Sequence, residues 1–170
     1  FESVKGEGST FWFTIVGKAA VSRPAKMGSR LPASNLVASR SLRIILAEDN
    51  DLNQMIITEM LLKFGHSVET VNDGVAAVDA LRNGDYDLIL MDIHMPEMDG
   101  PSASQVIRQE PNEKGKTPII AITADAMIEN RKLYFDSGMN YCVTKPIDLQ
   151  ELLYAINSVL DEEVHIVSRH

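Results

Sequence analysis

Arg43-Ile44-Ile45-Leu46-Ala47-Glu48-Asp49-Asn50 is the stretch on which the fold turns. Four apolar residues in unbroken succession suit a short strand covered on both faces, as in a parallel sheet, and the acids that follow mark where the chain leaves it. Working outward, residues 51–64 carry Leu52, Met55, Ile56, Met60 and Phe64 at helical spacing before Gly65. The alternation then repeats: Ser67–Val71 with Gly74–Arg82, Asp87–Met91 with Pro101–Gln109, Pro118–Ile122 with Ala126–Ser137, and Tyr141–Val143 with Leu149–Leu160. Five strand and helix pairs predict an α/β fold, a doubly wound (βα)5 parallel five-stranded sheet with helices on both faces. Glycine and polar groups at 65, 83–85, 111–116 and 138–140 supply the breaks.

The rest of the chain is set apart by charge. Residues 18–41 hold Lys18, Arg23, Lys26, Arg30 and Arg40 and no acid, with Pro24 and Pro32 among small residues, which predicts a basic flexible linker. Residues 42–160 hold 19 acids against 9 bases within a total formal charge of -8. So acidic a body repels phosphate backbones, and no direct contact with nucleic acid is expected. No apolar run approaches the ~20 residues of a bilayer span and no signal peptide is evident, so no membrane contact by this stretch and a cytoplasmic setting are expected, with room for a membrane anchor elsewhere in a parent protein. The single cysteine, Cys142, has no partner for an internal disulfide and agrees with a reducing compartment. Residues 161–170 read as a C-terminal tail.

In an open parallel sheet ligands bind beyond the carboxyl ends of the strands. The residues found there are Glu48 and Asp49, then Asp92, Thr123 and Lys145. Taken singly each has an ordinary alternative: Asp49 or Asn50 could cap a helix, Thr123 could be a β-branched strand residue, Lys145 a solvated charge. Together, three carboxylates and one ammonium call for a divalent cation, and ligands restricted to oxygen suit Mg2+. Phosphoryl transfer needs an in-line nucleophile and compensation of charge on the transferring oxygens, and an aspartate can be that nucleophile. On this reading Asp92 is the nucleophile, Asp49 and Asp92 ligate the metal, Glu48 holds it through water, Thr123 bonds a phosphoryl oxygen, and Lys145 supplies a compact positive charge.

The segments Glu48-Asp49-Asn50, Met91-Asp92 with Met95-Pro96 and Asp99-Gly100, Thr123-Ala124, and Lys145-Pro146, at intervals of 43, 31 and 22 residues, resemble the receiver (response-regulator) domain of two-component signalling over 42–160. The resemblance implies a flavodoxin-like fold with strand order 2-1-3-4-5. It implies phosphorylation of Asp92 from a phosphohistidine with Mg2+, Mn2+ being an alternative ion, followed by slow hydrolysis. It also implies metal ligation by the His94 carbonyl, a cis Lys145–Pro146 peptide, and tuning of phosphoryl lifetime by the side chains of His94 and Asp125. Residues 1–17, through Gly6-Glu7-Gly8-Ser9-Thr10-Phe11-Trp12-Phe13-Thr14-Ile15, resemble the closing strand of the ATP-binding domain of sensor histidine kinases. Both resemblances together imply a hybrid sensor histidine kinase as parent. Its partners would be a histidine kinase dimerisation and phosphoacceptor domain, in cis or in trans, and a histidine phosphotransfer protein.

One position departs from the receiver pattern. Three residues before the lysine, where receivers usually carry an aromatic that couples the active-site threonine to the output face, stands Cys142, with Tyr141 expected on the opposite side of the strand. Output is therefore expected to run through backbone shifts around Thr123 and the loop into the fourth helix. Two rival readings have their own requirements. A haloacid dehalogenase-type phosphatase wants a second aspartate two residues after the nucleophile, where His94 stands. A binding module independent of phosphorylation has no need of the five site residues that are all present.

Overall fold

The computed structural model describes residues 2–4, 8–10, 40–124 and 128–167. Glu2–Val4 (β1) and Gly8–Thr10 (β2) form an antiparallel pair of their own, Glu2 opposite Thr10 and Val4 opposite Gly8. Residues 11–15 of the segment resembling a closing strand, and the basic stretch through residue 39, lie outside the described residues.

In the second unit the elements follow as β3 (Arg43–Ala47), α1 (Asp51–Leu62), β4 (Ser67–Val71), α2 (Gly74–Asn83), β5 (Leu88–Asp92), α3 (Gly100–Arg108), a 3-10 turn (Asn112–Lys116), β6 (Ile119–Thr123), α4 (Ile128–Asp136), β7 (Tyr141–Thr144) and α5 (Leu149–Val167). All pairings are parallel, in the order β4-β3-β5-β6-β7. Counted within this unit, that is 2-1-3-4-5, the flavodoxin-like order. Leu46 lies opposite both Thr70 and Leu90, Met91 opposite Ala121, and Ile122 opposite Val143.

The apolar runs are continuous because alternate residues serve opposite layers. Ile45, Ala47, Ile89, Met91, Ile119 and Ala121 pack with Ala77 and Leu81 of α2, Ala103 and Ile107 of α3, and Tyr134 of α4. Ile44, Leu46, Leu88, Leu90, Ile120 and Ile122 pack with Ile57 and Leu61 of α1 and Leu152 and Ile156 of α5. Every residue of β5 and β6 is buried, whereas the edge strand β4 is partly exposed along its length. Each fully buried Leu or Ile contributes about 1.5–3 kcal/mol, so the two central strands carry much of the stability.

Short polar side chains start the helices. Asn50, Asp73, Asp99 and Asp148 each accept hydrogen bonds from free backbone N–H groups in the first turn of α1, α2, α3 and α5. After α1 the chain reverses through Gly65 at φ +81°, a conformation side chains oppose. The half-buried Arg108 guanidinium donates to the carbonyls of Gly138, Gly115 and Thr117 and to Asn140 Oδ1, tying the end of α3 to the segments that enter β6 and β7. Helix α5 runs to Val167, past the end expected at Leu160. Among the described residues no helix is long and apolar enough to cross a membrane.

The edge of the sheet opposite the strand carboxyl ends holds a buried histidine. His66 Nδ1 accepts from Leu42 N at 3.3 Å, which leaves the proton on Nε2, and Nε2 is buried without a hydrogen-bond partner among the described residues. Burial lowers its pKa below 6.5. Above that value the ring is neutral in both folded and unfolded chains. Below it the unfolded chain binds the proton first, so stability falls with pH, by at most about 1.4 kcal/mol per pH unit, the slope of one proton. Urea midpoints compared at about pH 7.5 and about pH 5.5 are expected to fall more for the native chain than for His66→Gln.

Candidate functional site

The carboxyl ends of β3, β5, β6 and β7 bring the predicted residues to one edge. Glu48 follows β3 and is fully buried, its N–H continuing the ladder to the Val71 carbonyl at 3.1 Å. Its Oε1 accepts from Asn53 Nδ2 at 2.8 Å, and its Oε2 lies 2.8 Å from Lys145 Nζ. The latter contact is an ion pair rather than an aligned hydrogen bond, because Oε2 finds no donor at proper angles. Asp49 is exposed at the rim, and Asn50 is the helix cap. Of the two possible caps, Asn50 takes the role and leaves the Asp49 carboxylate for the cleft.

Asp92 ends β5, 5% exposed. Its Oδ2 lies 2.5 Å from Lys145 Nζ and its Oδ1 accepts from His94 N at 3.3 Å. The nearby glycine is a packing requirement: a Cβ on Gly100 would stand 2.3 Å from the Asp92 carbonyl oxygen. The loop closes tightly there, with Gly100 N donating to the Ile93 carbonyl at 3.0 Å, so any side chain would displace the strand end that carries the carboxylate.

One oxygen from each of Glu48, Asp49 and Asp92 falls within 4.8 Å of the others. Lys145 spans the two buried carboxylates. Burial opposes its charge, but the hydrogen bond to Asp92 and the close negative charges of Asp92 and Glu48 outweigh that and raise its pKa above the ordinary lysine value. Three carboxylates against one ammonium leave two negative charges uncompensated. With only hard oxygen ligands on offer and a buried Glu48 oxygen lacking an aligned donor, the set fits Mg2+.

Thr123 closes β6 and is buried, and Lys145 N donates to its carbonyl at 2.7 Å. Its Oγ1 lies 3.3 Å from the hydroxyl of Tyr134, a buried residue of α4 that sequence reasoning missed. The Lys145–Pro146 peptide is cis, as expected. His94 is exposed at the rim, and Asp125 lies outside the described residues. Cys142 is buried in the layer that contains Tyr134, where desolvation pushes its thiol pKa up despite Arg131 nearby. Tyr141 packs in the opposite layer, its ring 6.3 Å from that of Tyr154 and edge-on. The side of β7 facing Thr123 thus offers a small thiol, and an aromatic hydroxyl reaches Thr123 from α4 instead.

The chain was compared with known proteins. Residues 44–157 match the response regulator receiver domain family. Sensor histidine kinase GacS of Pseudomonas protegens is 35% identical over 130 residues, covering 75% of this chain and 14% of that protein. The autoinducer 2 sensor kinase/phosphatase LuxQ of Vibrio parahaemolyticus is 37% identical over 147 residues, covering 85% and 17%. The chain thus spans less than a fifth of the length of these curated relatives. Among solved structures, the receiver domain of sensor histidine kinase PA1611 from Pseudomonas aeruginosa PAO1, with a magnesium ion coordinated in its active-site cleft, superposes with a TM-score of 0.66 at 38% identity, covering 72% of this chain and 99% of that one. With its parallel sheet in 2-1-3-4-5 order and an acidic cleft at the strand ends, the chain belongs to the response regulator receiver domain family.

Proposed function

We propose that Asp92 accepts a phosphoryl group from a phosphohistidine and passes it on or releases it by hydrolysis. The observation that carries this reading is a nearly buried carboxylate at a strand end, 2.5 Å from an ammonium and grouped with two further carboxylates. In the step the P–N bond of the donor breaks as a P–O bond forms to an Asp92 carboxylate oxygen, and the electron pair stays on the ring nitrogen. Later, water attacks the phosphorus, the P–O bond to Asp92 breaks, and inorganic phosphate leaves. Asp49, Asp92 and the His94 carbonyl would hold Mg2+ or Mn2+ directly and Glu48 through water. The ion, when bound, supplies Lewis-acid compensation of charge on the transferring oxygens. Lys145 and Thr123 give their ammonium and hydroxyl to those oxygens, and His94 and Asp125 would tune the lifetime.

The donor must bring its imidazole to this edge. Leu52, Met55 and Ile56 of α1 are exposed large apolar residues, and Ile56 borders a pocket completed by Asn53, Ile57, Lys145, Pro146 and Ile147. An apolar helix face bearing the phosphohistidine fits there. That describes a kinase dimerisation and phosphoacceptor domain, in cis or in trans, or a histidine phosphotransfer protein. On this reading residues 1–17 are the end of an ATP-binding domain, 18–41 a linker, 42–160 the receiver and 161–170 a tail, in a cytoplasmic part of a hybrid kinase; the receiver match over 44–157 supports the third of these.

The test is incubation with a small acyl phosphate, with and without Mg2+. One acid-stable, base-labile phosphoryl group per chain is expected, dependent on Mg2+ and mapped to the peptide containing Asp92. Steady hydrolysis of phosphate esters with no labelled chain would support the phosphatase reading instead.

A further inference from the structure

Glu48 presents a problem that the reading above does not address. It is fully buried, and the ammonium that faces its Oε2 at 2.8 Å is shared with Asp92 at 2.5 Å. Once Lys145 turns to a phosphoryl oxygen, Glu48 loses that partner. A buried carboxylate with no fixed donor is costly and free to rotate away from the cleft.

The first turn of α1 grips this residue twice. Asn53 Nδ2 donates to Glu48 Oε1 at 2.8 Å, and Gln54 Nε2 donates to the Glu48 carbonyl at 2.6 Å and to Asn72 Oδ1 at 2.7 Å. The amide orientation follows from chemistry, since an Asn oxygen facing a carboxylate would repel it. The helix turn is itself fixed, because Asn50 Oδ1 accepts from Leu52 N and Asn53 N. Asn53 therefore reaches Glu48 from a backbone already held in place.

We infer that Asn53 is a positioning residue that keeps the Glu48 carboxylate aimed into the cleft for the divalent cation, independently of where Lys145 points. The inference rests on the metal-binding role proposed for Glu48. It makes the α1 turn an outer support of the metal site, a class of contact whose loss commonly weakens metal affinity by about ten- to a hundredfold.

The test is calorimetric titration of MgCl2 into the full chain, for the native protein, Asn53→Leu and Asn53→Ser, with urea unfolding of each without metal. Asn53 is a half-buried helix residue, and two replacements of different size guard against one failing to fold. The expected result is a Kd for Mg2+ raised about ten- to a hundredfold in both variants. The metal-free unfolding midpoint also falls, because Glu48 Oε1 loses its donor in both variants. A Kd within about twofold of native overturns the inference. So does an equal loss of affinity in Leu42→Ala, a core truncation at the opposite edge of the sheet, since the Kd would then merely follow stability. Asp49→Asn is the control for the underlying reading: if it binds Mg2+ as the native chain does, the metal site itself is misassigned, whatever Asn53 does.

Discussion

Asp92→Asn is expected to abolish phosphoryl incorporation from a small acyl phosphate, a loss of at least about a thousandfold, while leaving the fold in place. A carboxamide oxygen is a far weaker nucleophile than a carboxylate, and among the described residues of the cleft no other group has the same geometry: Glu48 is fully buried and braced by Asn53 and Lys145, and Thr123 is buried beside Tyr134. The amide keeps an oxygen that can accept from His94 N, which donates to Asp92 Oδ1 at 3.3 Å in the native chain. One carboxylate charge is lost, so Mg2+ affinity also falls. Intact mass after incubation with the donor checks the first expectation, and the urea midpoint checks the second. Persistent labelling of the variant would move the acceptor elsewhere, the exposed Asp49 being first to examine.

Lys145→Met is expected to separate stability from chemistry. Among the described residues Lys145 is the cation that faces both buried carboxylates, at 2.8 and 2.5 Å. Taking it away leaves two nearby negative charges without compensation. Breaking a buried pair in this manner costs about 3–5 kcal/mol, and because the lysine side chain keeps 23% of its surface in solvent the lower end applies, about 3 kcal/mol. Mg2+ should restore much of this, so the metal should raise the unfolding midpoint of the variant more than that of the native chain. Phosphorylation at saturating Mg2+ should still be slower by about 10²–10³, the usual cost of removing one fixed charge partner from a transition state. Urea unfolding with and without Mg2+, beside the labelling rate, checks both parts. Equal stabilisation of both chains by Mg2+ would contradict the bridging role.

Much of this is legible in the sequence. β3, β5 and β6 announced themselves because a strand buried on both faces has no polar position to spare. The site followed because strand ends are where such a sheet presents functional groups. The boundaries nonetheless shift by one: Asp92 and Thr123 belong to their strands, paired opposite Ile122 and Thr144, since backbone pairing continues under a polar side chain. Tyr134 was hidden because α4 has no clear apolar stripe, and its meeting with Thr123 depends on how the helix docks. Asn53 and Gln54 read as ordinary polar positions of a helix, and only the turn fixed by Asn50 shows that they reach back to Glu48.

The hydroxyl pair of Thr123 and Tyr134 equips the domain with its own gauge. The chain has four tyrosines: Tyr86 bonds Glu69, Tyr141 and Tyr154 stand against each other, and Tyr134 alone of them touches the threonine at the cleft. In protein grown with isotope-labelled tyrosine, one ring resonance therefore reports the rotation of the Thr123 hydroxyl as the cleft fills, with every metal-binding and phosphate-binding group left in its native form.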